Sequence, residues 1–211
     1  MKRTGIIFDM DGTLWDSAEE VARSWTRVVN SEYDTERIIT TEEIQGVMGK
    51  TMDKIAEFLF PELEEPARLT LLEHCCRDEN EYLRVHGGRL YPDLEETLAE
   101  LKKEYELYIV SNCQSGYIEA FLEHYGFGKF FSDIECFGNN GLQKSDNIRR
   151  LAERNGLTKA VYVGDTQGDY DATVAAGLPF IYAAYGFGTV VQKTPVICCV
   201  KELISVMKEI F

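Results

Sequence analysis

The second half of the chain repeats one pattern, and that pattern narrows the possible folds more than any other feature. Short apolar runs, Leu107-Tyr108-Ile109-Val110, Ala160-Val161-Tyr162-Val163 and Phe180-Ile181-Tyr182-Ala183, alternate with stretches whose apolar residues recur at helical spacing. Leu94, Leu98 and Leu101 form one such stripe, and Ile118, Phe121, Leu122 and Tyr125 another. A strand apolar on both faces suits a parallel sheet covered by helices, because parallel neighbours require a long crossover connection. The expected fold is α/β: a doubly wound, mostly parallel, Rossmann-like sheet. Gly126, Gly156 and Gly177 stand where its helices should end. Ser145 is expected to cap a helix over residues 146–155, a helix is expected over 170–176, and residues 197–200 read as a last buried strand.

The first apolar run, Gly5-Ile6-Ile7-Phe8, breaks the alternation. From residue 17 to residue 84 the patterns are helical and no strand is expected. Ser17-Ala18-Glu19-Glu20 reads as a capping box, followed by the stripe Val21, Trp25, Val28 and Val29. Thr40-Thr41-Glu42-Glu43 reads as a second box. Gly46 and Gly49 interrupt that helix, residues 52–60 resume it up to Pro61, and Leu69, Leu72 and Cys76 mark a longer one ending before Gly87-Gly88. The chain is therefore expected to divide into an α/β core, 1–16 and 86–211, and a helical cap, 17–85, inserted after the first strand. Trp15-Asp16 and His86-Gly87-Gly88 are the expected hinges.

With 211 residues, 45% of them hydrophobic and 27% charged, the chain can bury a sizeable core. A formal net charge of -14 argues against nucleic acid, which calls for a basic surface. No apolar run approaches the ~20 residues that span a bilayer, so no membrane partner is expected. Met1-Lys2-Arg3 is basic, but the run behind it is too short for a signal sequence. Six cysteines without a CxxC pair, and only three histidines, make a zinc site a poor fit and point to reduced thiols and the cytoplasm. Cys198 and Cys199 read as small hydrophobes in a buried strand, and Cys113 has no histidine near it in sequence to activate it.

In open α/β sheets ligands bind beyond the carboxyl ends of the strands. Asp9 and Asp11 follow the first strand, Ser111 and Asn112 end another, and Asp165 follows a third, with Asp169 just beyond. Four carboxylates on one edge repel unless some are protonated or a cation sits among them. Oxygen ligands without His or Cys favour a hard ion, most plausibly Mg²⁺. Each residue also has a plainer reading. Asp11-Gly12 suits a tight turn, Ser111 can bond to nearby backbone, Lys144 can be a solvated lysine, and Asp169 or Asp171 can serve a helix dipole.

Asp9-Met10-Asp11-Gly12-Thr13, Ser111-Asn112, Lys144 and Gly164-Asp165-Thr166-Gln167-Gly168-Asp169, in that order, resemble the four motifs of the haloacid dehalogenase-like hydrolases. Leu14-Trp15-Asp16-Ser17 and the helical insert resemble the branch that contains phosphoglycolate phosphatases and β-phosphoglucomutases. Here Ser145 follows Lys144, where family members often have proline. The resemblance implies a Mg²⁺-dependent phosphatase for a small phosphorylated metabolite: phosphoglycolate-like, a sugar phosphate or a nucleotide. Asp9 is then the nucleophile, forming an aspartyl phosphate, and Asp11 the proton carrier. The metal set is Asp9, Asp11 through its main-chain carbonyl, Asp165 and Asp169, while Ser111, Asn112 and Lys144 hold the phosphate. Lys50 and Gly49, in the cap loop 46–51, are candidates for substrate selection, with Lys50 alternatively a solvated residue. His86 is a poor candidate for a base. A phosphomutase sharing the four motifs, or a non-catalytic phosphate-responsive module, remain alternative readings. A monomer or weak dimer is expected.

Overall fold

A computed structural model describes residues 4–33 and 36–211. The basic start Met1-Lys2-Arg3 lies outside the described residues. The chain runs β1 (Thr4–Phe8), β2 (Trp15–Asp16), α1 (Ala18–Tyr33), α2 (Thr41–Gln45), α3 (Met52–Leu59), α4 (Glu65–His86), β3 (Arg89–Leu90), α5 (Leu94–Leu101), β4 (Glu106–Ser111) and α6 (Tyr117–Tyr125). It continues with β5 (Phe131–Cys136), α7 (Phe137–Asn140), α8 (Lys144–Arg154), β6 (Lys159–Gly164), α9 (Gln167–Ala176), β7 (Phe180–Ala183), β8 (Val196–Ile197) and α10 (Leu203–Ile210).

Six strands form one sheet in the order β5-β4-β1-β6-β7-β8, and every pairing in it is parallel. The α/β expectation holds. Period-two alternation sends the two sets of strand side chains to opposite faces. Ile6, Phe8, Leu107, Ile109, Val161 and Val163 pack with α5, α6 and α10. Ile7, Tyr108, Val110 and Tyr162 pack instead with Ile148 and Leu151 of α8. From β1 the chain builds outward to β4 and β5, then crosses back to place β6 on the other side of β1. The order therefore reverses beside the end of β1, which opens a crevice there.

Helices α1 to α4 lie between β2 and β3, which pair antiparallel as a small ribbon, Trp15 with Leu90 and Asp16 with Arg89. The expected hinge Trp15-Asp16 thus pairs with the two residues that follow the other expected hinge, His86-Gly87-Gly88. Trp15 is fully buried and meets Phe121 edge-on with ring centroids 5.0 Å apart. Among the described residues no helix is long and apolar enough to cross a membrane.

Several local expectations change. The Thr40–Glu43 box forms, with both reciprocal hydrogen bonds. The Ser17 box gives way to a different arrangement: the Asp16 carboxylate accepts from the Ala18 amide at 3.1 Å, and the Ser17 hydroxyl turns inward. Helix α8 begins at Lys144, with Gln143 as its cap residue, so Ser145 lies inside the helix. Helix α9 begins at Gln167, capped by Thr166. The last strand is only Val196–Ile197, because it lies at the sheet edge and has a single neighbour, and Cys198 and Cys199 are exposed.

Candidate active site

Asp9 follows β1 directly, and its backbone amide still donates to Val163 of β6 at 2.9 Å. Its carboxylate is buried, and Lys144 Nζ donates to Oδ1 at 2.8 Å. The same ammonium donates to Asp169 Oδ1 at 2.6 Å, so one buried lysine bridges two buried carboxylates. Starting α8 at residue 144 is what points this side chain at the sheet edge. Burial alone would lower the lysine's pKa, but the charges of Asp169 and Asp9 more than compensate and hold it well above the ordinary value. Burial, and then the Asp169 charge, push Asp9 up to about 7 against the pull of Lys144.

Asp165 follows β6. Its Oδ2 accepts the amides of Phe187 at 2.7 Å and Gly188 at 3.3 Å. The loop supplying those amides is fixed by Tyr185, whose hydroxyl donates to the Thr13 carbonyl at 2.9 Å. Close approach dictates two glycines here. A Cβ on Gly12, which has φ +84, would sit 2.2 Å from Asp165 Oδ2, and one on Gly186 would sit 2.3 Å from Asp165 Cβ. Asp165 Oδ1 is buried without a hydrogen-bond partner. Burial, then the Asp169 and Asp9 charges, raise Asp165 to about 8. Asp169 occupies the third position of α9, where it completes a capping box with Thr166 through Oδ2 and leaves Oδ1 to Lys144.

One oxygen from each of Asp9, Asp165 and Asp169 lies within 4.8 Å of the others. An orphaned buried carboxylate oxygen in an all-oxygen cluster fits a hard divalent cation. The Asp11 carboxylate stands outside this cluster. Its Oδ1 accepts hydrogen bonds from Tyr117 at 2.6 Å and Ser17 at 2.7 Å, and the two hydroxyls lie 2.7 Å apart. Burial raises its pKa, and the two hydroxyl bonds oppose that rise.

Asp9, Asp11, Ser111, Asn112, Gly49, Lys50 and Glu79 line one cavity. Asn112 Nδ2 donates to the Gly49 carbonyl at 2.9 Å and so ties the 46–51 loop to the end of β4. Lys50 is exposed, and its ammonium lies 5.4 Å from the centroid of the Phe58 ring. His86 is exposed and stacks on Tyr82 outside the cavity. Cys113 lines the cavity as a buried thiol, raised well above its ordinary pKa by burial, which does not suit a nucleophile.

Sequence reading missed Ser17 as a partner of Asp11, along with Tyr117 and Glu79. Tyr117 lies 106 positions from Asp11 and carries no local signal beyond opening α6. Ser17 had a signal, but its hydroxyl does something other than cap.

Residues 6–183 match the haloacid dehalogenase-like hydrolase family model, and the chain belongs to that family. It is 29% identical to a phosphoglycolate phosphatase of Aliivibrio fischeri, over 86% of this chain and 84% of that protein. It is 28% identical to a phosphoglycolate phosphatase of Escherichia coli, over 87% of this chain and 82% of that one. A haloacid dehalogenase-like family hydrolase from Streptococcus pneumoniae has the same fold, with TM-score 0.77 and 20% identity over 97% of this chain and 98% of that one.

Proposed function

We propose that this chain is a Mg²⁺-dependent phosphatase that hydrolyses a small phosphate monoester through an aspartyl phosphate on Asp9. The observation that carries the reading is the division of labour between two buried aspartates in one cavity: Asp9 bound to the Lys144 ammonium, and Asp11 bound to the Tyr117 and Ser17 hydroxyls. An Asp9 oxygen forms a bond to phosphorus as the ester P–O bond breaks, and Asp11 gives its proton to the departing alkoxide. Water then attacks the aspartyl phosphate and passes its proton to Asp11, while Asp9 is released with inorganic phosphate. Ser17 and Tyr117 hold the Asp11 carboxyl in place through both proton transfers. Burial suits the protonated state that the first transfer requires.

Ser111, Asn112 and Lys144 are assigned to the phosphate oxygens. Asp9, Asp165 and Asp169, with the Asp11 main-chain carbonyl, are assigned to Mg²⁺, which when bound supplies positive charge to offset that of the phosphate. The 17–85 segment is read as a cap over the core of 1–16 and 86–211, excluding water when closed. The phosphoglycolate phosphatase relatives support a small phosphorylated substrate. Release of inorganic phosphate from an aryl phosphate, with and without EDTA, tests the reading. Turnover is expected with Mg²⁺ and none with excess chelator, and chelator-insensitive turnover, or turnover retained by Asp9→Asn, contradicts it.

A further inference from the structure

The cavity wall contributed by the 17–85 segment is apolar, formed by Val21, Trp25, Ile44, Val47, Met52 and Ile55. One carboxyl is set into it. Glu79, on α4, is 3% exposed, and Trp25 Nε1 donates to its Oε2 at 2.5 Å. Gln114 supplies a second hydrogen bond. Both partners are neutral, so they ease a negative charge on Glu79 without balancing it. Among the described residues lining the cavity, the basic one is Lys50, and its ammonium rests over Phe58. Burying a carboxyl in an apolar wall is costly unless something uses it. Burial accordingly pushes Glu79 up to about 8, with the charges of Asp11 and Asp78 adding to the rise.

We infer that Glu79 selects the alcohol part of the substrate: the monoester presents a hydroxyl or ammonium donor to Glu79 and carries no carboxylate there. The inference rests on the phosphatase reading above and narrows its substrate class. A donor on the substrate adds a charged or hydroxyl partner to the two neutral ones the carboxyl already has, and the apolar wall covers the carbon chain. Above about pH 8, where Glu79 is ionised, a carboxylate in the same place would be repelled across a poorly solvated space, with the Lys50 ammonium drawn aside over Phe58.

The test, run at about pH 9 so that Glu79 is ionised, uses ω-amino-, ω-hydroxy- and ω-carboxyalkyl phosphates of two, three and four carbons as competitive inhibitors of aryl phosphate hydrolysis. Affinity is then read whether or not each ester turns over. At the best length, the amino or hydroxy ester is expected to bind at least about tenfold more tightly than the carboxy ester, the size of one uncompensated like-charge contact. In Glu79→Gln, checked for folding by circular dichroism, that gap should shrink to about threefold or less, since the amide carries no charge. Carboxy esters that bind as well or better at every length overturn the inference, and that comparison needs only the wild-type enzyme. A gap that survives in folded Glu79→Gln overturns it as well. Carboxy-ester affinity that is highest in the series and lost in Lys50→Ala overturns it by assigning selection to Lys50. If wild type with Mg²⁺ does not hydrolyse the aryl phosphate at all, the phosphatase reading fails and this inference falls with it, whereas activity with carboxylate preference removes only the inference.

Discussion

At the sheet edge, Asp9 and Asp169 share the ammonium of Lys144 at 2.8 and 2.6 Å, whereas across the cavity Glu79 meets only an indole and an amide. Both walls bury carboxyls, but they treat charge differently. The edge gathers several acids around a lysine and the unpartnered Oδ1 of Asp165, an arrangement whose crowded carboxylates a bound cation would hold ionised. The helical wall holds a single acid among apolar groups, where the neutral form is favoured until a donor arrives. The difference separates chemistry, which needs fixed charge, from selection, which needs a group that responds to what enters.

Four changes break or sharpen that contrast. Asp9→Asn should have the largest effect, a fall in kcat on the order of 10⁴-fold or more because it removes the attacking oxygen anion. Single-turnover phosphate release measures it, and a fall of only about tenfold would assign the nucleophile elsewhere. Asp11→Asn should lower kcat by about 10²- to 10⁴-fold, with the smaller loss for an activated leaving group such as a nitrophenol, which needs little protonation. An equal loss on aryl and alkyl phosphates would deny Asp11 its role in proton transfer.

Tyr117→Phe should be milder. Loss of one hydrogen bond to the Asp11 carboxyl is worth about 1–1.5 kcal/mol, or roughly tenfold in kcat. Steady-state kinetics should show the loss in kcat with KM nearly unchanged, and a pure KM effect would place Tyr117 among substrate contacts instead.

The smallest effect concerns stability. The folded pKa of Glu79, about 8, is raised above its ordinary 4.5. The stability it contributes is therefore fully present below the unfolded value and is lost as pH rises through the folded one. Wild type should lose on the order of 1–3 kcal/mol more than Glu79→Gln between about pH 5 and pH 8.5. Urea unfolding across that range measures the difference. Asp11 and Asp78, which also face Glu79, are common to both proteins. Parallel curves would show that the carboxyl is ionised at neutral pH in the free enzyme.

Much of the sheet edge was legible in the sequence because strand ends announce themselves locally. A short apolar run followed by Asp-x-Asp-Gly, Ser-Asn or Gly-Asp states both the strand and what lies at its tip, and parallel pairing brings those tips together. Asp9, Asp165 and Asp169 are legible that way and supply the carboxylate cluster, whereas Lys144, at the start of a helix, is marked only by the family resemblance. Gly49 was singled out as a loop glycine, but its carbonyl contact with Asn112 comes from packing between distant segments. Lys50 was expected to reach toward an anion, yet it lies over Phe58, since an exposed lysine is free to choose a nearby aromatic face.

The sequence alone determined which elements form, since hydrophobic period, caps and turn residues act within a few positions of one another. It also determined the acid-rich character of the site, through residue types at strand ends. Only the tertiary structure decided the partners. The Ser17 hydroxyl holds Asp11 when a capping box was open to it, because donating to a buried carboxylate beside Tyr117 is a stronger bond than accepting from a backbone amide at a helix start. Glu79 sits on a helix of mixed pattern, where one more glutamate reads as solvated. It becomes a buried acid facing the cavity only when α4 packs against α1 and brings Trp25 within 2.5 Å. Local chemistry selects the groups, and long-range packing selects the solvent and neighbours that give each group its charge.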